Sequence, residues 1–97
     1  MKNMDHIKNI YFIGIGGIGM SAIARYMLHQ GCNVSGYDKT ETKLTKTLVS
    51  EGIDIVYEDD TSNLSKDIDL VVYTPAIADS HRQLRHLSSN GHEVIKR

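Results

Sequence analysis

Ile10-Tyr11-Phe12-Ile13-Gly14-Ile15-Gly16-Gly17-Ile18-Gly19-Met20-Ser21 joins an apolar strand to an apolar-periodic helix through a glycine-rich turn. Placed there, Gly14 supplies a tight turn out of the strand, Gly16 lets backbone approach a pyrophosphate, and Gly19 lets the helix pack closely on the strand. The first turn of the helix then presents unpaired N–H groups and the positive end of its dipole to an anion. Four of the eight glycines of the chain fall between Gly14 and Gly19, and each costs roughly 0.5–1 kcal/mol relative to alanine inside regular structure. A phosphate-bearing nucleotide offsets that cost; a close strand–helix crossing without ligand is the plainer alternative.

Outward from this turn, Gly31, Gly52 and Gly91 each follow a helical pattern and precede a β-branched run, the signature of a helix C-terminus. Between these stops the sequence predicts strands at Asn9–Ile13, Asn33–Tyr37, Ile53–Tyr57, Ile68–Tyr73 and Glu93–Lys96, and helices at Ile18–Gln30, Thr42–Glu51 and Ser80–Asn90. Ser80 with Gln83 reads as a capping box for the last helix. The charged and turn-forming segment Glu58 to Asn63 reads as a loop, with room for one helical turn at Asn63–Ser65. In the first helix Met20, Ile23 and Met27 share a face with Ala24 and Leu28 beside them, which makes the methionines core residues.

Strands alternating with helices give right-handed βαβ units. The expected fold is therefore α/β, a small doubly wound parallel five-stranded sheet of order 3-2-1-4-5 with helices on both faces. Ligands of such sheets bind at the carboxyl ends of the strands where the order reverses, here between strands one and four. The glycine loop and Thr74-Pro75-Ala76-Ile77 form the two rims of that crevice.

Composition narrows the partners. The 97 residues make one small domain, with 11 basic and 12 acidic residues, a formal net charge of -1 and the charges scattered along the chain. A nucleic-acid surface needs a concentrated basic face. No apolar run approaches the roughly 20 residues of a membrane span, and the N-terminal MKNMDHIKN lacks the apolar centre of a signal peptide, so the chain reads as cytoplasmic. Cys32 is the single cysteine and reads as a small buried residue at a strand start. The five histidines are dispersed, so no metal site is expected.

Asp38 ends the second strand, 19 residues after Gly19, where an acidic side chain accepts hydrogen bonds from a ribose; capping the turn Asp38-Lys39-Thr40 explains it equally. Lys39 either offsets phosphate charge or is solvated. Pro75 ends the central strand and biases Thr74 to an extended shape. No acid–base pair, nucleophile elbow or GxxxxGK[ST] loop is present. By itself the chain has the residues to bind and none to catalyse.

The run YFIGIGGIGMSAIARYMLHQGCNVSGYD, then VVYTPAI and the terminal HEVIKR, resemble the N-terminal, Rossmann-like domain of the Mur ligase family across essentially the whole chain. The resemblance implies an ATP-dependent ligase of cytoplasmic peptidoglycan precursor synthesis, which joins L-alanine to the lactyl carboxylate of UDP-N-acetylmuramate through an acyl phosphate. In that family the N-terminal domain holds the UDP, a central domain ATP and Mg2+, and a C-terminal domain helps admit the amino acid; this chain resembles the first domain alone. Carried over residue by residue, Gly16, Gly17, Ile18, Gly19, Met20 and Ser21 match the loop around the diphosphate. Asp38, Lys39 and Thr40 match the segment near the uridine, and Thr74, Pro75, Ala76 and Ile77 the rim after strand four. After strand three many relatives carry Gly-His beside the nucleoside where this chain has Tyr57-Glu58, while Asn63 fits the family pattern. A nicotinamide dinucleotide domain, a recycling ligase that attaches a preformed peptide to UDP-N-acetylmuramate, and a nucleotide-sensing module are the other readings.

Overall fold

A computed structural model describes residues 7–62, 64–78 and 80–97. Its elements run β1 (Asn9–Ile13), α1 (Ile18–His29), β2 (Asn33–Tyr37), α2 (Lys43–Ser50), β3 (Asp54–Val56), β4 (Leu70–Tyr73), α3 (Arg82–Ser89) and β5 (Val94–Lys96). The strands form one sheet of order β3-β2-β1-β4-β5, and every neighbouring pair is parallel. This is the doubly wound architecture expected from the sequence. Register sets the crevice: Ile13 lies abreast of Tyr37 on one side and Tyr73 on the other, so β1, β2 and β4 end level.

Alternation along β1 divides the core between the two faces of the sheet. Ile10 and Phe12 pack with Met20 and Ala24 of α1, Leu48 of α2, and Val34, Leu70 and Val72 of the neighbouring strands. Tyr11 and Ile13 face the other way, onto Tyr37, Val71, Leu84 and Leu87. Full burial of a side chain such as Phe12, which has no exposed surface, contributes about 1.5–3 kcal/mol. Met20 is buried and Met27 packs at the edge of the same cluster, as the periodicity predicts. Cys32 is half-buried just before β2, its Sγ 3.6 Å from the Ile7 carbonyl oxygen.

Element ends depart from expectation where caps decide them. α2 is shorter than Thr42–Glu51 because Thr42 and Glu51 are its caps. The Thr42 hydroxyl accepts from Thr45 N–H at 3.2 Å, and the Thr45 hydroxyl accepts from Thr42 N–H at 2.8 Å. β3, β4 and β5 are shorter than predicted, although Asp69 N–H, just before β4 begins, still donates to the Asn9 carbonyl. The expected Ser80–Gln83 box does not form. α3 begins at Arg82 behind an N-cap at His81, and Asp59, from the β3–β4 connection, accepts from Arg82 N–H at 2.7 Å and Gln83 N–H at 2.8 Å. A carboxylate with two oxygens satisfies two donors at the positive end of a helix, which a neutral serine cannot match. In the β3–β4 connection Leu64 and Ser65 are not helical, and Asn63 lies outside the described residues.

Candidate functional site

The chain leaves β1 at Gly14, whose φ of +91° lies in the region that favours glycine. There the N–H groups of Gly14 and Ile15 both donate to the Tyr37 carbonyl, at 2.8 and 3.0 Å, which fastens the loop to the end of β2. α1 starts behind Gly17, a cap with no side chain to offer. The N–H groups of Ile18, Gly19 and Met20 consequently have no partner among the described residues. Ile18 is 87% exposed beside them, an apolar surface at the mouth of the crevice.

Asp38 braces this loop. Its Oδ2 accepts from Gly16 N–H at 2.8 Å and its Oδ1 from Thr40 N–H at 3.0 Å, so it makes the turn of its own segment and holds the glycine loop at once. A Cβ on Gly16 would stand 2.7 Å from Asp38 Oδ2 and 2.9 Å from Thr45 Cγ2. The space that glycine leaves there is taken by Asp38 and Thr45, so the absence of a side chain at Gly16 is what lets the Asp38 carboxylate reach the loop. Gly19 departs from expectation. A Cβ there would meet the Arg97 guanidinium, 2.9 Å from Nη1, and not the neighbouring strand. On the opposite rim a Cβ on Gly14 would overlap Thr74 Cγ2 and lie 3.7 Å from Ile77 Cδ1, so the two rims touch at the base of the crevice. The rim turn closes through Ala76 N–H to Thr74 Oγ1 at 3.2 Å and Ile77 N–H to the Thr74 carbonyl at 3.0 Å.

The family model for the Mur ligase family, catalytic domain, matches residues 9–97. The chain belongs to the Mur ligase family. It is 48% identical, over its whole length, to the UDP-N-acetylmuramate--L-alanine ligase of Christiangramia forsetii, and spans 23% of that protein. Among solved structures, UDP-N-acetylmuramate-alanine ligase MurC of Thermotoga maritima superposes with a TM-score of 0.87 at 37% identity, over 95% of this chain and 21% of that one. The UDP-N-acetylmuramate:L-alanyl-gamma-D-glutamyl-meso-diaminopimelate ligase of Neisseria meningitides superposes with a TM-score of 0.83 at 26% identity, over 93% of this chain and 28% of that one. This chain thus spans between 21% and 28% of the length of each of these relatives.

Within this family fold, Gly16, Gly17, Ile18 and Gly19 form one rim with Asp38 behind them, and Thr74 to Ile77 form the other. Met20 is buried and brings only its N–H to the crevice. Ser21 is buried too, its hydroxyl donating to the Ile18 carbonyl at 2.9 Å. Lys39 and Thr40 are exposed beyond Asp38, as are Pro75 and Ala76 across from it. No group of three or more His, Cys, Asp or Glu among the described residues is placed to hold a metal ion, and no helix is long and apolar enough to cross a membrane.

What the sequence did not disclose is how the segment after β3, which begins with Tyr57-Glu58, is fastened. Gln83, buried, accepts from the Tyr11 hydroxyl at 2.7 Å and donates to the Asp60 carbonyl at 2.9 Å. Asp59 lies 3.3 Å from His81 Nδ1, and the His81 ring meets Tyr37 edge-on at 4.6 Å. Beside these contacts a cavity of about 530 Å³ is lined by Tyr11, Ser35, Tyr57, Leu64, Ile68 and Gln83; it lies on the α3 face and not at the glycine loop. Burial holds the Tyr11 hydroxyl above the ordinary tyrosine range, more than its bond to Gln83 lowers it.

Burial also lowers the His81 pKa, while Asp59 acts in the opposite direction. As pH falls below the ordinary value of 6.5, the unfolded chain takes up a proton that folded His81 resists, so stability drops. The urea midpoint is therefore expected to fall between about pH 7.5 and about pH 5.5, and to fall less in His81→Asn, where asparagine still caps α3. Equal pH slopes in the two proteins would place the acid sensitivity elsewhere.

Proposed function

We propose that this chain is the UDP-docking domain of an ATP-dependent, cytoplasmic ligase that adds L-alanine to UDP-N-acetylmuramate in peptidoglycan precursor synthesis. The observation that carries this reading is the glycine loop itself, with the free N–H groups of Ile18, Gly19 and Met20 at the end of the sheet where β1 and β4 part. The name of the Christiangramia forsetii relative supports the substrate. In this reading the diphosphate lies on the first turn of α1, Asp38, Lys39 and Thr40 stand towards the ribose and uracil, and Thr74 to Ile77 close the far side. Each Asp38 oxygen accepts one bond in the structure and retains a lone pair for a sugar hydroxyl.

ATP and Mg2+ belong, in this proposal, to further domains of such an enzyme acting in cis. The glycine loop here has no lysine followed by a hydroxyl residue, the ending that cradles a triphosphate. Alone, the chain binds and does not catalyse. The likeness to the Neisseria meningitides ligase supports a second reading, the corresponding domain of a ligase that attaches a peptide.

Backbone and helix-end contacts give UDP a Kd between micromolar and millimolar, about -4 to -8 kcal/mol. Titrating the domain with UDP-N-acetylmuramate, UDP and NAD, followed by amide shifts, tests the proposal. Saturable shifts at Gly16–Ser21 and Thr74–Ile77 with both uridine ligands are expected, and a selective response to NAD would overturn the reading in favour of an oxidoreductase fragment.

A further inference from the structure

Arg97 occupies an unusual place. Its backbone N–H donates to the Tyr73 carbonyl at 2.8 Å, continuing the β4–β5 ladder one residue past the end of β5 and fixing where the side chain departs. From there the guanidinium reaches across to α1. A Cβ built on Gly19 would stand 2.9 Å from Nη1, 3.0 Å from Nη2 and 3.1 Å from Cζ, so the planar group lies against the second residue of the helix. That is the positive end of the helix dipole, where cations are disfavoured and anions attracted. Among the described residues, three helix N–H groups at the same point lack partners and no carboxylate pairs with Arg97. Asp38, the acidic side chain that braces the glycine loop from the end of β2, accepts from Gly16 and Thr40.

We propose that Arg97 is a phosphate-binding residue of the crevice, its guanidinium closing over the diphosphate of a nucleoside diphosphate held on the first turn of α1. The inference rests on the UDP-docking reading above and adds to it a side chain from the far edge of the sheet. A guanidinium presents parallel N–H donors that match two oxygens of a phosphate at once. Gly19 acquires a specific reason in the same step: a Cβ there would force the guanidinium to shift from this position. β5 thereby becomes part of the binding site through the residue that follows it.

The test compares UDP, uridine and inorganic pyrophosphate on the wild-type chain, Arg97→Gln, Arg97→Lys and Gly19→Ala, each followed by amide shifts, which also report folding. In Arg97→Gln the UDP and pyrophosphate affinities are expected to fall about tenfold or more, with the response to uridine unchanged. Arg97→Lys should recover part of the loss. Gly19→Ala should weaken UDP binding, and the double variant with Arg97→Gln should lose little beyond Arg97→Gln alone, because both remove one contact. UDP affinity equal to wild type in a folded Arg97→Gln chain overturns the proposal while leaving UDP docking intact. Absence of UDP and pyrophosphate binding to the wild-type chain overturns both.

Discussion

Gly36→Val is expected to abolish the folded state, or to leave it so weakened that urea unfolds it at a small fraction of the wild-type concentration. Gly36 lies within β2, paired with Phe12 of β1 on one side and Ile55 of β3 on the other. A Cβ at this position would overlap the Phe12 carbonyl oxygen and stand 2.9 Å from Ile15 Cδ1. A carbonyl within a strand ladder has no rotamer to adopt, so β1 and β2 would have to separate at the centre of the sheet. Overpacking of this kind costs about 1–3 kcal/mol even where side chains can adjust, against a total stability of about 5–15 kcal/mol for a domain. We expect a loss of at least about 3 kcal/mol for valine and about 2 kcal/mol for alanine. Gly31→Ala provides the contrast. Gly31 has a φ of +91° but nothing within 4 Å of an added Cβ, so its cost is confined to backbone strain of about 1 kcal/mol. Urea titrations of the three variants separate the two mechanisms; a Gly36→Val chain as stable as wild type would contradict the packing described.

The difference between these glycines also explains how much could be read before the fold was seen. Gly31, Gly52 and Gly91 act locally: each ends a helix with a positive φ, and their spacing in the sequence was enough to place the strands and, through the handedness of βαβ units, the order of the sheet. The crevice followed from the same reasoning, because it lies wherever that order reverses. Long-range partners were not legible. Asp59 caps a helix that begins 23 residues later, and no local pattern links the two; the local pattern pairs Ser80 with Gln83, whereas Gln83 binds Tyr11 and Asp60. The glycine loop shows the same division. Its position and its free N–H groups followed from strand, turn and helix. The identity of what fills the glycine spaces, Asp38 and Thr45 at Gly16 and Arg97 at Gly19, depends on how three distant segments converge.

That convergence makes Gly16→Val the variant expected to affect binding most. The new side chain would press on Asp38 Oδ2 at 2.7 Å and Thr45 Cγ2 at 2.9 Å. Asp38 would have to release Gly16 N–H, and with it the brace that holds the loop against the end of β2. Thr45 is less free to move, because its hydroxyl and N–H form the capping box of α2. We expect UDP binding to fall at least about 100-fold, which is about 2.7 kcal/mol, with stability reduced by about 1–3 kcal/mol. Folding and binding are separated by a milder pair. Gly16→Ala should lose affinity while keeping a dispersed amide spectrum, and Thr45→Ser added to it removes the offending methyl but keeps the capping hydroxyl, so the pair should recover stability. If the double variant recovers stability but not UDP affinity, the displaced Asp38 carboxylate is the cause of the binding loss, and Asp38→Ala should reproduce it without any steric change at Gly16. If a folded Gly16→Val chain binds UDP as the wild type does, the first turn of α1 is not where the diphosphate sits.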